Sequence, residues 1–145
     1  MRRQTVSHEF VEFIPSELVD GIVYISIPYA TASHLCCCGC GRKVVTELSP
    51  AGWSLSYDGD TLSLYPSIGN WSFPCRSHYW ITRNSVRWAR RFTEREIALN
   101  RERDRNDLER HLAGGFGGPE RPGEPSPPLP SRWQRIRRRI RKTAV

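Results

Sequence analysis

The sequence predicts an α+β fold: a small mixed or antiparallel sheet with a cysteine knuckle, followed by one long charged helix. Three observations predict it. Short runs rich in β-branched and aromatic residues, separated by Gly, Pro, Asn and Asp, fill the chain up to about residue 87. Residues 88–112, WARRFTEREIALNRERDRNDLERHL, hold no Gly or Pro and consist mainly of helix formers. Four of the five cysteines crowd into HLCCCGCGRK, residues 34–43, and the fifth, Cys75, lies far downstream in SFPCRSHYW.

In chain order, residues 4–14 (QTVSHEFVEFI) alternate in part and are expected as a first strand, stopped by Pro15. Asp20-Gly21 makes a tight corner. GIVYISIPY is the strongest strand signal, and the cysteine cluster follows it directly. KVVTELS is a short strand. Two alternating runs, Trp53–Tyr57 and Thr61–Tyr65, flank Asp58-Gly59-Asp60 and predict a β-hairpin. NWSFPCRSHYWI alternates again, and Asn84-Ser85 turns the chain into VRWA. The helix over 88–112 gains support from opposite charges three and four apart, such as Arg90–Glu94, Glu102–Arg105 and Asp107–Arg110. Its apolar positions are sparse, so it is expected to lie on the surface.

Residues 114–131 are a Gly/Pro-rich linker, and residues 132–145 form a basic tail with Trp133, Ile136 and Ile140 on one helical face. The domain is therefore placed at 1–113, with a motif-rich core at 22–90. Of 22 Lys/Arg, 14 lie in residues 1–120, where they meet 14 of the 15 Asp/Glu. The net charge of +7 thus resides in the tail. That argues against a nucleic-acid platform on the folded part and leaves such binding to the tail alone. No apolar run approaches the roughly 18 residues needed to span a membrane. The start, MRRQTVSHEF, has no apolar segment behind its arginines, so a cytoplasmic location is the expectation.

A cytoplasmic chain with five cysteines fits a disulfide framework poorly. It fits tetrahedral zinc better, since zinc takes four soft ligands and glycines beside them allow a tight knuckle. Cys36, Cys38 and Cys40 share parity, so an extended backbone projects them to one side, and Cys75 completes the set. The rival set uses Cys37 and Cys40 as a C-x-x-C pair with His34 or another cysteine. Four thiolates leave no position for water or substrate, which makes the metal structural.

Chemistry then falls to other residues. His34 and His78 flank the expected ligands. Ser67 in YPSIGNW stands near Gly69 and Asn70, where backbone N–H groups could face a reacting oxygen. Asp58, Asp60 and Ser77 complete the candidates. A nucleophile, a base and an orienting carboxylate make a hydrolytic triad, although nothing in the spacing alone demands one. A zinc-stabilised binding module without catalysis is the alternative.

The linked motifs carry a resemblance. The cysteine cluster, WSLSYDG, SLYPSIGNW and CRSHYWI, in that order over residues 22–90, resemble the serine protease family of bacterial ubiquitination-like (Bub) operons, formerly a domain of unknown function. The resemblance implies a JAMM-related, cytidine-deaminase-like core. It implies a Ser-His-Asp hydrolase that cleaves a ubiquitin-like protein from conjugates or precursors, with zinc as a structural element. It also implies operon-encoded activating and conjugating enzymes as partners. The JAMM pattern H-x-H is absent, in keeping with a serine mechanism in place of a catalytic metal. Residue by residue, Ser67 is implied as nucleophile, His78 as general base and Asp58 as orienting acid. Ser77, His34 and Asp60 are the substitutes for these roles, and Asn70 with the Gly69 backbone is the candidate oxyanion donor.

Overall fold

The computed structural model of the protein describes residues 1–114. Eight strands and one helix follow one another among them. The strands are β1 (Ser7–Phe10), β2 (Ile22–Ser26), β3 (Thr31–Leu35), β4 (Lys43–Glu47), β5 (Ser54–Tyr57), β6 (Leu62–Gly69), β7 (His78–Thr82) and β8 (Ser85–Trp88). The helix is α1 (Glu94–Leu112). The expected linker and basic tail, beyond residue 114, lie outside the described residues.

The strands form two sheets of four, in the orders β1-β2-β3-β4 and β5-β6-β7-β8. The first is mixed, because β1 runs parallel to β2, and the second is antiparallel throughout. Single bridges stitch the sheets together at both edges. Thr5 pairs with Ser85 beside β8, and Leu48 at the end of β4 pairs with Trp53 at the start of β5. One core fills the space they enclose. Val23, Ile25, Ala32 and Val44 come from the first sheet, and Leu62, Leu64, Ile68, Tyr79, Ile81 and Val86 from the second. Their alternation in sequence is what turns one face of each strand inward.

The hairpin around Asp58-Gly59 forms as expected, with Tyr57 opposite Leu62. Three boundaries differ from expectation. The first strand is only Ser7–Phe10, because residues 4–6 pair instead with the β8 side: Val6 N–H donates to Asn84 O, and Val86 N–H to Gln4 O. The chain from Thr31 to Leu35 is a strand, β3, that separates GIVYISIPY from the cysteines and carries His34 into the core. The short TASHL run reads as polar by itself, but Ala32, Ser33 and His34 are buried between β2 and β4.

The helix begins at Glu94 rather than at residue 88, since Ser85–Trp88 completes the second sheet. Thr93 is its N-cap. The Thr93 side chain accepts from Glu96 N–H, and the Glu96 carboxylate accepts from Thr93 N–H, the reciprocal capping box. The expected Asp107–Arg110 pair is present at 2.6 Å. Glu94 pairs with Arg76 rather than with Arg90, which tethers the helix start to the loop after Cys75, and Arg90 pairs with Glu96. Of the helix's apolar residues only Ile97 is buried, and Leu99, Leu108 and Leu112 are exposed. Among the described residues, no helix is long and apolar enough to cross a membrane.

Candidate active site and metal centre

β6 is the strand that positions the chemistry. Its alternation sends Leu62, Leu64 and Ile68 into the core and leaves Ser67 and Gly69 on the opposite face. β7 pairs with it so that Gly69 faces His78, and the register shifts between Leu64 and Ile68. Ser67 therefore lies diagonal to His78, within reach of its ring. Ser67 Oγ is 2.8 Å from His78 Nε2. With the imidazole neutral and its proton on Nδ1, the hydroxyl donates to Nε2, the arrangement a general base requires. Trp53 Nε1–H donates to the Ser67 carbonyl at 3.4 Å, which anchors the serine's backbone from the neighbouring strand end.

Aromatic rings hold the imidazole from several sides. Its centroid is 4.9 Å from Trp71, 4.5 Å from Phe92 and 5.3 Å from Trp80. Trp71 and Phe92 stack on each other at 5.2 Å. His78 is 5% exposed, so the imidazolium formed by proton uptake would be surrounded mainly by aromatic side chains rather than by bulk water. A cavity of about 230 Å³ opens at the pair. Trp53, Pro66 and Gly69 line it on the strand side, and Asn100, Asp104 and Leu108 on the helix side. The spacing of four between these helix residues puts them on one face of α1, a signal present in the sequence but not recognised there. The convergence of Trp71 and Phe92 on His78 had no such signal, because loop residues carry no period.

Asp58 is the expected site residue that is not brought to the pair. Its carboxylate serves the hairpin turn, accepting from Asp60 N–H at 3.0 Å, Thr61 N–H at 2.6 Å and Thr61 Oγ1–H at 2.8 Å. Those bonds, from the Thr61 backbone first, hold its pKa down at about 2. The turn is at the far end of β6, and Leu62 to Ser67 alone is about 16 Å of strand at about 3.3 Å per residue. Local hydrogen bonding, which makes Asp-Gly a turn signal, is what keeps this carboxylate away. The carboxylates that line the cavity are Glu47 and Asp104.

The substitute residues do not assemble a second site. His34 is fully buried, its Nε2 lies 2.9 Å from the Tyr79 hydroxyl, and burial lowers its pKa to about 4, so it stays neutral inside the core. Ser77 and Asn70 face away from the cavity. The Asn70 amide donates to Ser77 Oγ at 2.9 Å, which takes it out of the expected oxyanion role.

The cysteines converge as the first of the two sequence readings has it. Sγ atoms of Cys36, Cys38, Cys40 and Cys75 all lie within 4.8 Å of one another. Individual separations are 3.4 Å for Cys36–Cys38 and 3.9 Å for both Cys36–Cys75 and Cys40–Cys75. Four sulfurs at about 2.3 Å from one ion in a tetrahedron stand about 3.8 Å apart, so the set fits a metal and is far too open for disulfides. The reason for the convergence differs from the expected one. Residues 36–41 are a tight turn rather than extended chain, with Gly39 at φ +87° and its N–H donating to Cys36 O at 3.0 Å. Cys37 packs in the core instead, and burial pushes its thiol up to about 11.

The thiols of the cluster are shifted in opposite directions. Burial pushes the Cys36 and Cys38 thiols up. At Cys75 burial acts the same way but is outweighed by hydrogen bonds from Ser77, Cys38 and Cys40, which bring it to about 7. Four thiolates at these distances repel one another unless a positive ion lies among them.

No curated protein and no solved structure matches the chain. A family model does: the one described as the bacterial ubiquitination-like system serine protease (BubE) matches residues 10–89, more than half of the chain, and the chain belongs to that family.

Proposed function

We propose that the protein is a serine hydrolase that cuts the bond following the C-terminus of a ubiquitin-like protein, in a conjugate or a precursor. Ser67 is the nucleophile and His78 the general base. The single observation that carries this reading is the 2.8 Å contact between Ser67 Oγ and His78 Nε2 at the wall of a cavity. Membership of a family described as serine proteases of a bacterial ubiquitination-like system supports the reaction class and motivates the choice of substrate class.

In the proposed mechanism Ser67 Oγ attacks the carbonyl while Nε2 of His78 takes its proton. The rings of Trp71 and Phe92 hold the imidazolium in place. His78 then returns that proton to the leaving group, the tetrahedral intermediate collapses, and an acyl-enzyme remains on Ser67. Water enters with His78 again as base and releases the acid product. The orienting carboxylate is one that lines the cavity, Asp104 or Glu47, rather than Asp58. Zinc bound by Cys36, Cys38, Cys40 and Cys75 would supply a closed structural cross-link between the turn before β4 and the loop before β7.

The test is cleavage of a fusion made with a ubiquitin-like protein of a bacterial ubiquitination-like system, together with labelling by a fluorophosphonate probe. Loss of both in Ser67→Ala and His78→Ala supports the assignment. Undiminished cleavage by the two variants would sink it. Binding of the fusion without any cleavage would favour a non-catalytic zinc module instead.

A further inference from the structure

The ladder between β6 and β7 ends one rung beyond the proposed catalytic pair. Gly69 faces His78, and the next rung is Asn70 N–H donating to Ser77 O at 2.9 Å. Alternation turns the side chains of this last rung to the other side of the sheet, where the four-cysteine site lies. Asn70 and Ser77 are 8% and 7% exposed. Their polar groups must therefore be satisfied by protein atoms.

The donors and acceptors leave little freedom. The Asn70 amide nitrogen only donates, and it lies 2.9 Å from Ser77 Oγ. Ser77 Oγ–H is then left for a sulfur, and Cys36 Sγ stands 3.0 Å from it. A metal-bound thiolate, negatively charged and rich in lone pairs, is the acceptor that suits it. The same Asn70 amide stands 3.7 Å from Cys36 Sγ, and the Asn70 side chain also interacts with Tyr79, the residue after His78.

We infer that Asn70 and Ser77 are positioning residues that make the Ser67–His78 geometry depend on occupancy of the four-cysteine site. Ser77 is bonded covalently to His78 on one side and by hydrogen bonds to the ligand sulfurs on the other. Asn70 follows Gly69 and closes the rung. When the sulfurs are drawn together around an ion, the rung is held and the imbalance of a buried hydroxyl is removed. When they are not, the Ser77 hydroxyl loses its thiolate acceptor, and the base at the adjacent position loses its register. The inference rests on the proposed roles of Ser67 and His78, and it goes beyond them by giving the cysteine site a function in catalysis other than holding the fold.

The test uses the full-length chain loaded with Co²⁺, whose thiolate charge-transfer absorption reports the ligand set, and a fluorophosphonate probe for Ser67. Ser77→Ala and Asn70→Ala are expected to release cobalt to a chelator about 10- to 100-fold faster. With the site kept saturated, they are expected to label about tenfold more slowly or worse. Ser77→Thr keeps the hydroxyl and is expected to restore both. Wild-type labelling in the saturated alanine variants would overturn the inference. Should those variants fail to fold, the wild-type chain is depleted of cobalt stepwise. Labelling must then fall in step with the charge-transfer band, and labelling that ignores the band overturns the inference. If loaded wild type does not label at all, the serine-hydrolase reading has failed rather than the relay. The relay is then judged on the His78 ring resonances of zinc-loaded protein, which Ser77→Ala must shift for it to stand.

Discussion

Gly69 stands directly across the sheet from His78, and the space where a side chain would be is filled by the indole of Trp71. A Cβ at Gly69 would sit 2.4 Å from two carbons of that ring. The glycine is thus required by a close approach and not by a left-handed backbone. Gly69→Ala is expected to displace Trp71 from the imidazole and cut the rate of Ser67 acylation about tenfold or more, while overpacking costs about 1–3 kcal/mol of stability. Probe labelling and thermal unfolding of the same variant separate the two effects.

Asp58 and the cavity carboxylates are expected to part company on substitution. Asp58→Asn removes an acceptor from the hairpin turn, so it should lower the unfolding temperature and leave kcat/KM within about twofold of wild type. Asp104→Asn and Glu47→Gln should leave the unfolding temperature nearly unchanged, and one of the two should reduce kcat by about tenfold or more. Steady-state cleavage of the fusion decides between them. Wild-type kcat in both cavity variants would mean that His78 works without either carboxylate.

Acid stability should show the two depressed carboxylates. Asp58 is held at about 2 by the Thr61 and Asp60 N–H groups and the Thr61 hydroxyl, and Glu96 at about 2 by Arg90 and the capping-box donors of Thr93. Both folded-state values lie below the ordinary carboxylate range, so the unfolded chain binds more protons between about pH 4 and about pH 2. The stability that the two groups contribute is present above about pH 4 and is lost as pH falls through about 2. Unfolding temperatures of Asp58→Asn and Glu96→Gln followed from pH 5 to pH 2 should therefore fall less steeply than wild type. Parallel curves would contradict these assignments.

Cysteine variants should divide into two classes. Cys40→Ser, at the exposed corner of the cluster, should weaken metal retention by a large factor and shift the Co²⁺ spectrum toward fewer thiolates. Cys37→Ser should keep one metal per chain with an unchanged spectrum. Its cost is in the core, where a hydroxyl replaces a buried thiol beside Tyr79, about 1–3 kcal/mol. Metal content by elemental analysis and the visible spectrum check both.

Much of this was legible in the chain itself. The Asp-Gly hairpin, the charged helix and the four-cysteine set follow from local chemistry: turn residues that bond their own backbone, helix formers with paired charges, and soft ligands beside glycines. Ser67 and Gly69 share a strand face because side chains alternate, which any reading of LSLYPSIG contains. The motifs around them were enough to mark the family.

Tertiary structure decided the rest. TASHL became a strand only because β2 and β4 flank it, and the helix start moved to Glu94 only because β8 had a sheet to complete. Whether Ser67 meets His78, and whether Asp58 does, depends on the pairing of β6 with β7 and on its shift between Leu64 and Ile68. The wall of Asn100, Asp104 and Leu108 depends likewise on where α1 is tethered, through Arg76 and Glu94. Sequence determines which face a side chain takes, since that is set by the backbone of its own strand. Which side chain stands opposite is set by register, a sum of contacts made by residues far apart in the chain.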